Sequence, residues 1–238
     1  MSLWQNGDAP VFDTGQCRFK SCRGLRKGRY MDEEKNQPTA LGSGLCVTPK
    51  PKTGKTFGDV EKPKLVKILN YGHPKLREVA NEVTELSPFD DILIDDMMKA
   101  VASFPALGIA ATQLGRNVRI IIVNTIAEII PIINPKIVEF SQEESSIAEG
   151  CMSILGATED VERSDRVVVE GLDADMREVR YEWSGMIAHI AQHEIDHLDG
   201  VMMVDHLREY KRNKMLKKHR KFIRDKRMPV HSYQIALK

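Results

Sequence analysis

Two histidines and a glutamate in the segment IAQHEIDHLDG (190–200) are the residues of this chain best suited to do chemistry. His193 and His197 are four residues apart, so on a helix both rings project from one face and can bind one metal ion. Glu194 then lies beside the ion without binding it, where it can accept a proton from an activated water. The segment therefore predicts a metal hydrolase site on a helix.

A catalytic site of this kind usually has a third protein ligand and keeps one position for water. One protease pattern continues H-x-x-G-x-x-H, and here Gly200 fits but Met203 stands where the last histidine is required. Another protease class uses a downstream glutamate, which here means Glu209 in a basic stretch, with His206 nearby as a surface or capping residue. A zinc endopeptidase is therefore an alternative without a good third ligand.

Cys151 is the upstream candidate for the third ligand. It follows Gly150 in AEGCMSILG (148–156), which we predict to be a loop between strands. A lone cysteine is more often a small buried residue than a metal ligand. Beside two histidines that need another donor, a thiolate that binds the metal becomes the better interpretation.

Patterned segments around these residues predict the elements that hold them. A short strand begins in KLVKILNYG (64–72), and a helix is predicted over 88–104. Its apolar residues at helical spacing are Ile92, Ile94, Met97, Met98 and Val101. β-branched segments predict antiparallel strands at 117–123, 127–140 and 166–183, the last with a hairpin around 173–175.

The segment with the two histidines is predicted to be a helix that starts after Ser184 and ends near Gly200. Together these elements predict an α+β fold, with antiparallel β-sheets around a central H-E-x-x-H helix. The 35 Lys and Arg nearly balance the 34 Asp and Glu, so overall charge indicates no particular partner. Four scattered cysteines favour a reducing compartment, and no apolar run is long enough to predict membrane insertion.

The chain divides into three predicted parts. Residues 1–62 lack periodicity and predict a disordered or targeting extension or linker. Within them, residues 17–29 hold six basic residues and no acidic one, so we expect an organelle, a mitochondrion or plastid, with the cytoplasm as the alternative. Residues 63–207 predict the catalytic domain, and 208–238 a basic C-terminal helix and tail.

Three motifs in order resemble those of peptide deformylase, the metal hydrolase that removes the formyl group from N-formylmethionine at the start of new polypeptides. The family motif G-x-G-x-A-A-x-Q resembles ALGIAATQ (106–113), and E-G-C-x-S resembles EGCMS (149–153). The motif Q-H-E-x-D-H resembles QHEIDH (192–197). The resemblance extends over about residues 64–208 and implies a deformylase-like fold.

The resemblance implies that Cys151, His193 and His197 bind one divalent ion, typically Fe(II) and often replaceable by Zn, Ni or Co. Glu194 would take a proton from the water that attacks and deliver it to the leaving amine. The substrate would be a nascent N-formylmethionyl peptide.

Further roles follow from the same resemblance. The oxygen that becomes negative would be held by the Gln113 side-chain amide and the backbone N–H of Met152. Four residues would lie at the substrate: Leu107, Gly108, Glu149 and His189.

The sequence departs from the family pattern at four positions. Ala106 replaces the first glycine of its motif, which requires a negative φ or a shifted loop. Leu155 and Thr158 stand where many members have a proline and an arginine near the substrate. His189 occupies a helix position that usually lines the methionine pocket, although a histidine bonded to a neighbour is the simpler interpretation.

Deformylation of N-formylmethionyl peptides is therefore the predicted function. The alternatives are the zinc endopeptidase and a divergent deformylase-like protein, with altered substrate or lost activity, that acts as a ribosome-associated binder. The basic C-terminal helix is compatible with contact to the anionic ribosome and equally with an ordinary solvated helix.

Overall fold

The computed structural model describes residues 64–104, 106–125 and 127–237. The extension predicted at 1–62, with its targeting signal, lies outside these residues. The strands, in chain order, are β1 Leu65–Leu69, β2 Gly108–Ala110, β3 Ile120–Asn124, β4 Ile129–Phe140, β5 Glu144–Cys151, β6 Ile154–Ser164, β7 Arg166–Leu172, β8 Glu178–Ser184 and β9 Ser232–Ala236. The α-helices are α1 Pro88–Ser103, α2 Gly185–Leu198 and α3 Glu209–Asp225. Short 3₁₀ helices lie at Pro74–Arg77, Ala111–Leu114 and Met203–His206.

The strands form a five-stranded sheet in the order β2-β3-β4-β7-β8 and two two-stranded ribbons, β1 with β9 and β5 with β6. Every pairing between these strands is antiparallel. The predicted α+β fold with antiparallel sheets around the H-E-x-x-H helix is therefore confirmed. Among the described residues, no helix is both long and apolar enough to cross a membrane.

Strand β3 is covered by a helix on each face. Ile120 and Ile122 belong to the apolar cluster that contains α1, and Ile121 and Val123 belong to the cluster that contains α2. Successive side chains of a strand point to opposite faces. The unbroken run of apolar residues in RIIIV therefore reflects burial on both faces, and it places α2 directly against the sheet.

Helix α1 shows one correction to the predicted apolar face. Ile92 is 52% exposed, while Leu93 is buried beside Met97. At about 100° per residue, Ile92 lies about 140° around the helix from Met97, whereas Leu93 lies one turn before it on the same face. The predicted Ile94 and Val101 are buried.

The residues between β4 and β7 form a long hairpin that the sequence analysis did not predict. Strands β5 and β6 pair from Glu144 opposite Ser164 to Cys151 opposite Ile154. Cys151 is therefore the last residue of a strand, and the prediction that it lies in a loop is corrected. The turn of this hairpin reaches α2.

The residues after 208 pack onto the domain. The predicted helix is α3, which buries Met215, His219 and Ile223. Strand β9, which was not predicted, pairs with β1 along its whole length and buries Tyr233 and Ile235. Helix α3 packs against β6, and β9 forms a two-stranded sheet with β1.

Candidate metal centre

Helix α2 carries both predicted histidines on a buried face. His193 and His197 are 7% and 1% exposed, with ring centroids 5.0 Å apart and ring planes at 79°. Ala191 and Leu198 of the same helix belong to the cluster that packs against β3 and β7. This packing fixes the rotation of the helix about its axis, so both imidazoles are directed to the same side of it.

Cys151 completes a group of three donors. Its Sγ lies 3.2 Å from Nε2 of His197, and the donor atoms of Cys151, His193 and His197 all lie within 4.8 Å of one another. Among the described residues, these three side chains are the group of His, Cys, Asp or Glu residues whose geometry could hold a metal ion. Glu209 and His206, which the endopeptidase alternative needed, are not part of it.

The three donors fit a divalent cation. One thiolate and two imidazoles suit Zn, Fe(II), Co and Ni, and an ion about 2.0–2.3 Å from each donor fits a group of this size. Burial raises the pKa of the Cys151 thiol, but the charge of His197 and hydrogen bonds with His193 and His197 outweigh burial and lower the pKa to about 5. Cys151 is therefore a thiolate at neutral pH, the form that binds metal.

Glu194 lies beside these donors and is 4% exposed. Burial raises the pKa of Glu194 to about 7, against the opposing charges of His193 and His197. Its buried Oε2 has no hydrogen-bond partner among the described residues. A buried carboxylate with a free oxygen and a pKa near neutrality is suited to take up and return a proton.

Gly108 is required by the close approach of α2. A Cβ added there would lie 2.6 Å from Oε1 of Glu194 and 2.9 Å from Cγ2 of Ile190. The family resemblance implied substrate contact at Gly108, whereas its close contact with Glu194 depends on packing that sequence spacing does not encode. Leu107, its neighbour, is 49% exposed.

Glu149 orients the His193 ring through a hydrogen bond to Nδ1. Its Oε2 accepts a hydrogen bond from Nδ1 of His193 at 2.9 Å, which leaves Nε2 of that ring for the ion. Arg163, which the sequence analysis missed, donates Nε and Nη2 to Glu149 at 2.6 and 3.2 Å and Nη1 to Asp196 at 2.7 Å. Burial raises the pKa of Glu149, but hydrogen bonds from His189, His193 and Arg163 hold that pKa well below its usual range.

His189 is 1% exposed and bonded within the protein through both ring nitrogens. Nδ1 lies 3.4 Å from Oε1 of Glu149, and Nε2 lies 3.0 Å from the Ser145 hydroxyl. Since a carboxylate only accepts, Nδ1–H donates to Glu149, and Nε2 is engaged by the Ser145 hydroxyl. The structure thus places His189 and Glu149 behind His193, with their polar atoms engaged, rather than free to bond a substrate.

The Gln113 amide has a fixed orientation beside Cys151. Its Oε1 accepts from the backbone N–H of Ala110 at 2.9 Å, so Nε2 faces Sγ of Cys151 at 3.5 Å and Oγ of Ser153 at 3.3 Å. Met152 follows Cys151 in the hairpin turn and is buried. The structure therefore brings Gln113 and Met152 next to the three donors.

The other positions that differ from the family motifs are Ala106, Leu155 and Thr158, and each has a simple structural environment. Ala106 is not among the described non-glycine residues with positive φ, so alanine is tolerated there. Leu155 is half-buried, and its carbonyl accepts a hydrogen bond from Nδ1 of His219 at 3.0 Å. Thr158 faces Gly150 across the β5–β6 hairpin. The position where many family members have an arginine therefore carries no charged side chain here.

The fold and the donor set define an H-E-x-x-H metal hydrolase whose third donor is a cysteine. The sequence profile of the polypeptide deformylase family matches residues 65–213. The peptide deformylase of Alkalilimnicola ehrlichii is 40% identical over 172 residues, which are 70% of this chain and 95% of that protein. A crystal structure of a peptide deformylase from Legionella pneumophila has a TM-score of 0.66 at 34% identity and covers 70% of this chain and 100% of that chain. The chain belongs to the polypeptide deformylase family, and the predicted enzyme class is confirmed.

Proposed function

We propose that this protein removes the N-formyl group from N-formylmethionyl nascent peptides and releases formate. The observation that carries the proposal is the buried Glu194 carboxylate, with one oxygen unpaired, beside the donors of Cys151, His193 and His197. Membership of the polypeptide deformylase family supports a formyl amide as the bond that is cleaved.

A divalent ion held by Cys151, His193 and His197 would supply Lewis acidity, which lowers the pKa of a water and polarises the formyl carbonyl. Glu194 accepts a proton from the water as the water oxygen attacks the formyl carbon. Glu194 then returns that proton to the nitrogen as the C–N bond breaks, so the products are formate and a free amino terminus. A pKa near 7 suits a residue that must accept and donate in turn.

Gln113 and Met152 stabilise the formyl oxygen as it becomes negative. The Gln113 Nε2 is already oriented, because its Oε1 is bonded to Ala110, and the Met152 N–H follows directly after Cys151. Donors fixed before the reaction lose no energy to reorganisation when the charge develops.

The substrate backbone passes Leu107 and Gly108. Leu107 is exposed, and Gly108, which has no side chain, leaves room for the Glu194 carboxylate beside the attacking water. Glu149 and His189 act from the opposite side, through His193, and His189 adds no free hydrogen-bond donor for the methionine side chain.

Formate release from formyl-Met-Ala-Ser, by protein purified anaerobically with iron, tests this function. We expect turnover in the wild type and a loss of about 10²–10⁴-fold in Glu194→Gln, which keeps its metal. Glu182→Gln, which removes an exposed carboxylate paired with Arg166, is the matched control. Metal-loaded protein without formate release would contradict the proposal.

The Cys151→Ala variant separates this function from a zinc endopeptidase. Under the proposal Cys151→Ala loses the metal, because one of three protein donors is gone. A two-histidine and one-glutamate protease site would keep it.

We propose Fe(II) as the native ion. The family resemblance supports iron, and the thiolate with two imidazoles suits it as well as Zn, Ni or Co. Metal analysis after anaerobic purification is expected to show iron in proportion to activity. Activity proportional to zinc content instead would overturn this assignment.

We also propose that α3 holds the enzyme near the ribosome. Five exposed cations of α3 have no ion-pair partner among the described residues: Lys214, Lys217, Lys218, Arg220 and Lys221. Such a face suits an anionic RNA surface. Co-sedimentation with ribosomes should weaken with salt and in Lys217→Glu/Lys221→Glu, but not in the matched double variant Lys67→Glu/Lys136→Glu. Equal binding by both variants would exclude this role for α3.

A further inference from the structure

The turn that follows Cys151 and the start of β6 accept three hydrogen bonds from residues outside the hairpin. The carbonyl of Met152 accepts a hydrogen bond from the Tyr233 hydroxyl at 3.0 Å, and the Ser153 carbonyl accepts from the Tyr71 N–H at 2.8 Å. The Leu155 carbonyl accepts from α3, as described above. Tyr233 lies in β9, beyond residues 65–213, which the family profile matches.

The peptide unit between Met152 and Ser153 connects Tyr233 to the metal centre. At one end its carbonyl accepts from Tyr233, and at the other end its N–H, on Ser153, donates to Sγ of Cys151 at 3.4 Å. A hydrogen bond to the carbonyl of an amide polarises that amide and strengthens its N–H as a donor. Tyr233 is therefore one peptide unit away from the thiolate.

We propose that Tyr233 is a positioning residue of the metal centre: it orients and polarises the Met152–Ser153 peptide so that the Ser153 N–H donates to the Cys151 thiolate. This inference rests on the proposed function, because it requires Cys151 to bind the ion. Hydrogen bonds to a ligand sulfur reduce the charge it gives to the metal and thus tune the site.

The setting of Tyr233 suits a fixed neutral donor. The residue is 7% exposed, and burial, together with the charge of Cys151, raises the pKa of its hydroxyl, so the proton stays on oxygen. Its ring position is set by the pairing of Tyr233 with Ile68 of β1. Asn70, next to β1, donates its side-chain amide to the Pro229 carbonyl and its backbone N–H to His231, both at 2.9 Å.

The test is the thiolate-to-cobalt charge-transfer band of the full-length protein loaded with Co(II). Tyr233→Phe deletes only the hydroxyl, so the Ser153 N–H donates more weakly and the sulfur becomes more electron-rich. We expect this band to move to lower energy, with kcat for formyl-Met-Ala-Ser lowered at least about threefold and KM little changed. Incorporation of 3-fluorotyrosine at position 233, a stronger donor, should move the band to higher energy.

Two controls separate positioning from packing. Ile235→Val trims a buried side chain of the same strand and removes no hydrogen bond to the turn, and Tyr210→Phe removes the hydroxyl of a tyrosine that is 75% exposed. Both are expected to leave the band unmoved.

Each outcome decides something. An unmoved band in Tyr233→Phe, or an equal shift in Ile235→Val, overturns the inference even if stability falls. The wild type should show a thiolate-to-cobalt band that is lost in Cys151→Ala. If the wild type has no such band, the proposed metal site itself fails.

Discussion

The Glu149 carboxylate accepts a hydrogen bond from Nδ1 of His193, and it does so while Arg163 donates two hydrogen bonds to the same carboxylate. The ring that is proposed to bind the ion is thus oriented by a buried anion whose own position is fixed. Removal of that anion affects both the metal site and the fold.

Glu149→Gln is expected to lower metal affinity about 10–100-fold, because the tautomer and orientation of His193 are no longer enforced. The variant also leaves Arg163 without its closest anion, at a cost to stability of about 3–5 kcal/mol. Zinc titration and urea unfolding measure the two effects separately. Unchanged zinc affinity in a folded Glu149→Gln variant would show that His193 is oriented by other contacts.

Gly108→Ala should abolish most activity without preventing folding. The added Cβ would lie 2.6 Å from Oε1 and 2.8 Å from Cγ of Glu194, so the carboxylate must move from the position where it takes the proton of the attacking water. Gly150→Ala is the matched control, since its Cβ meets only Cγ2 of Thr158, at 3.4 Å. Formate release at saturating peptide compares the two, and equal rates would contradict the assigned position of Glu194.

Metal-free protein should lose stability in acid because of Glu149 and Asp196. Burial raises the pKa of Asp196, but a hydrogen bond from His206 and the charge of Arg163 lower it below its ordinary 3.8, and the pKa of Glu149 lies below its ordinary 4.5. Groups with depressed folded pKa values contribute stability above their unfolded values and lose it as the pH falls.

Urea unfolding between about pH 6 and about pH 3 measures this loss. Asp196→Asn should flatten the acid limb, whereas Asp175→Asn, at an exposed residue in the β7–β8 turn, should leave it unchanged. An acid limb equally steep in Asp196→Asn would place the responsible carboxylates elsewhere.

Methionine should remain the preferred first residue despite the histidine at position 189. Both ring nitrogens of His189 are bonded to Glu149 and Ser145, so a polar substrate side chain finds no free partner there. We expect kcat/KM for formyl-Met-Ala-Ser to exceed that for formyl-Gln-Ala-Ser by about tenfold or more. Comparable values, with methionine preference restored in His189→Ile, would show that His189 contacts the substrate.

The elements that the sequence predicts well are those buried by simple periodic patterns. Helix α2, the run RIIIV and the β7–β8 hairpin follow from helical spacing, β-branched residues and turn chemistry. Ordered motifs then indicated Cys151, His193 and His197, which the structure brings together.

Other features depend on contacts that no local pattern encodes. Burial alternates along β5, but two of its inward-facing positions are Ser145 and Glu149, so ESSIAEGC lacks the apolar alternation that marks a strand. Arg163 is a basic residue at an inward-facing position of β6, and only its ion pairs explain that burial. Tyr233 reaches a carbonyl 81 residues earlier in the chain, a contact that sequence spacing does not reveal.

The pairing of β1 with β9 has a consequence for how the protein is made. Leu65 lies opposite Ala236, and the Leu237 N–H donates to the Lys64 carbonyl at 2.9 Å, so the first described strand finds its partner only in the last one. Because a chain is synthesised from its N-terminus, β1 has no partner in the described fold until residues 232–236 have been made. A domain proposed to process nascent polypeptides thus completes its own fold only after its last described strand has left the ribosome.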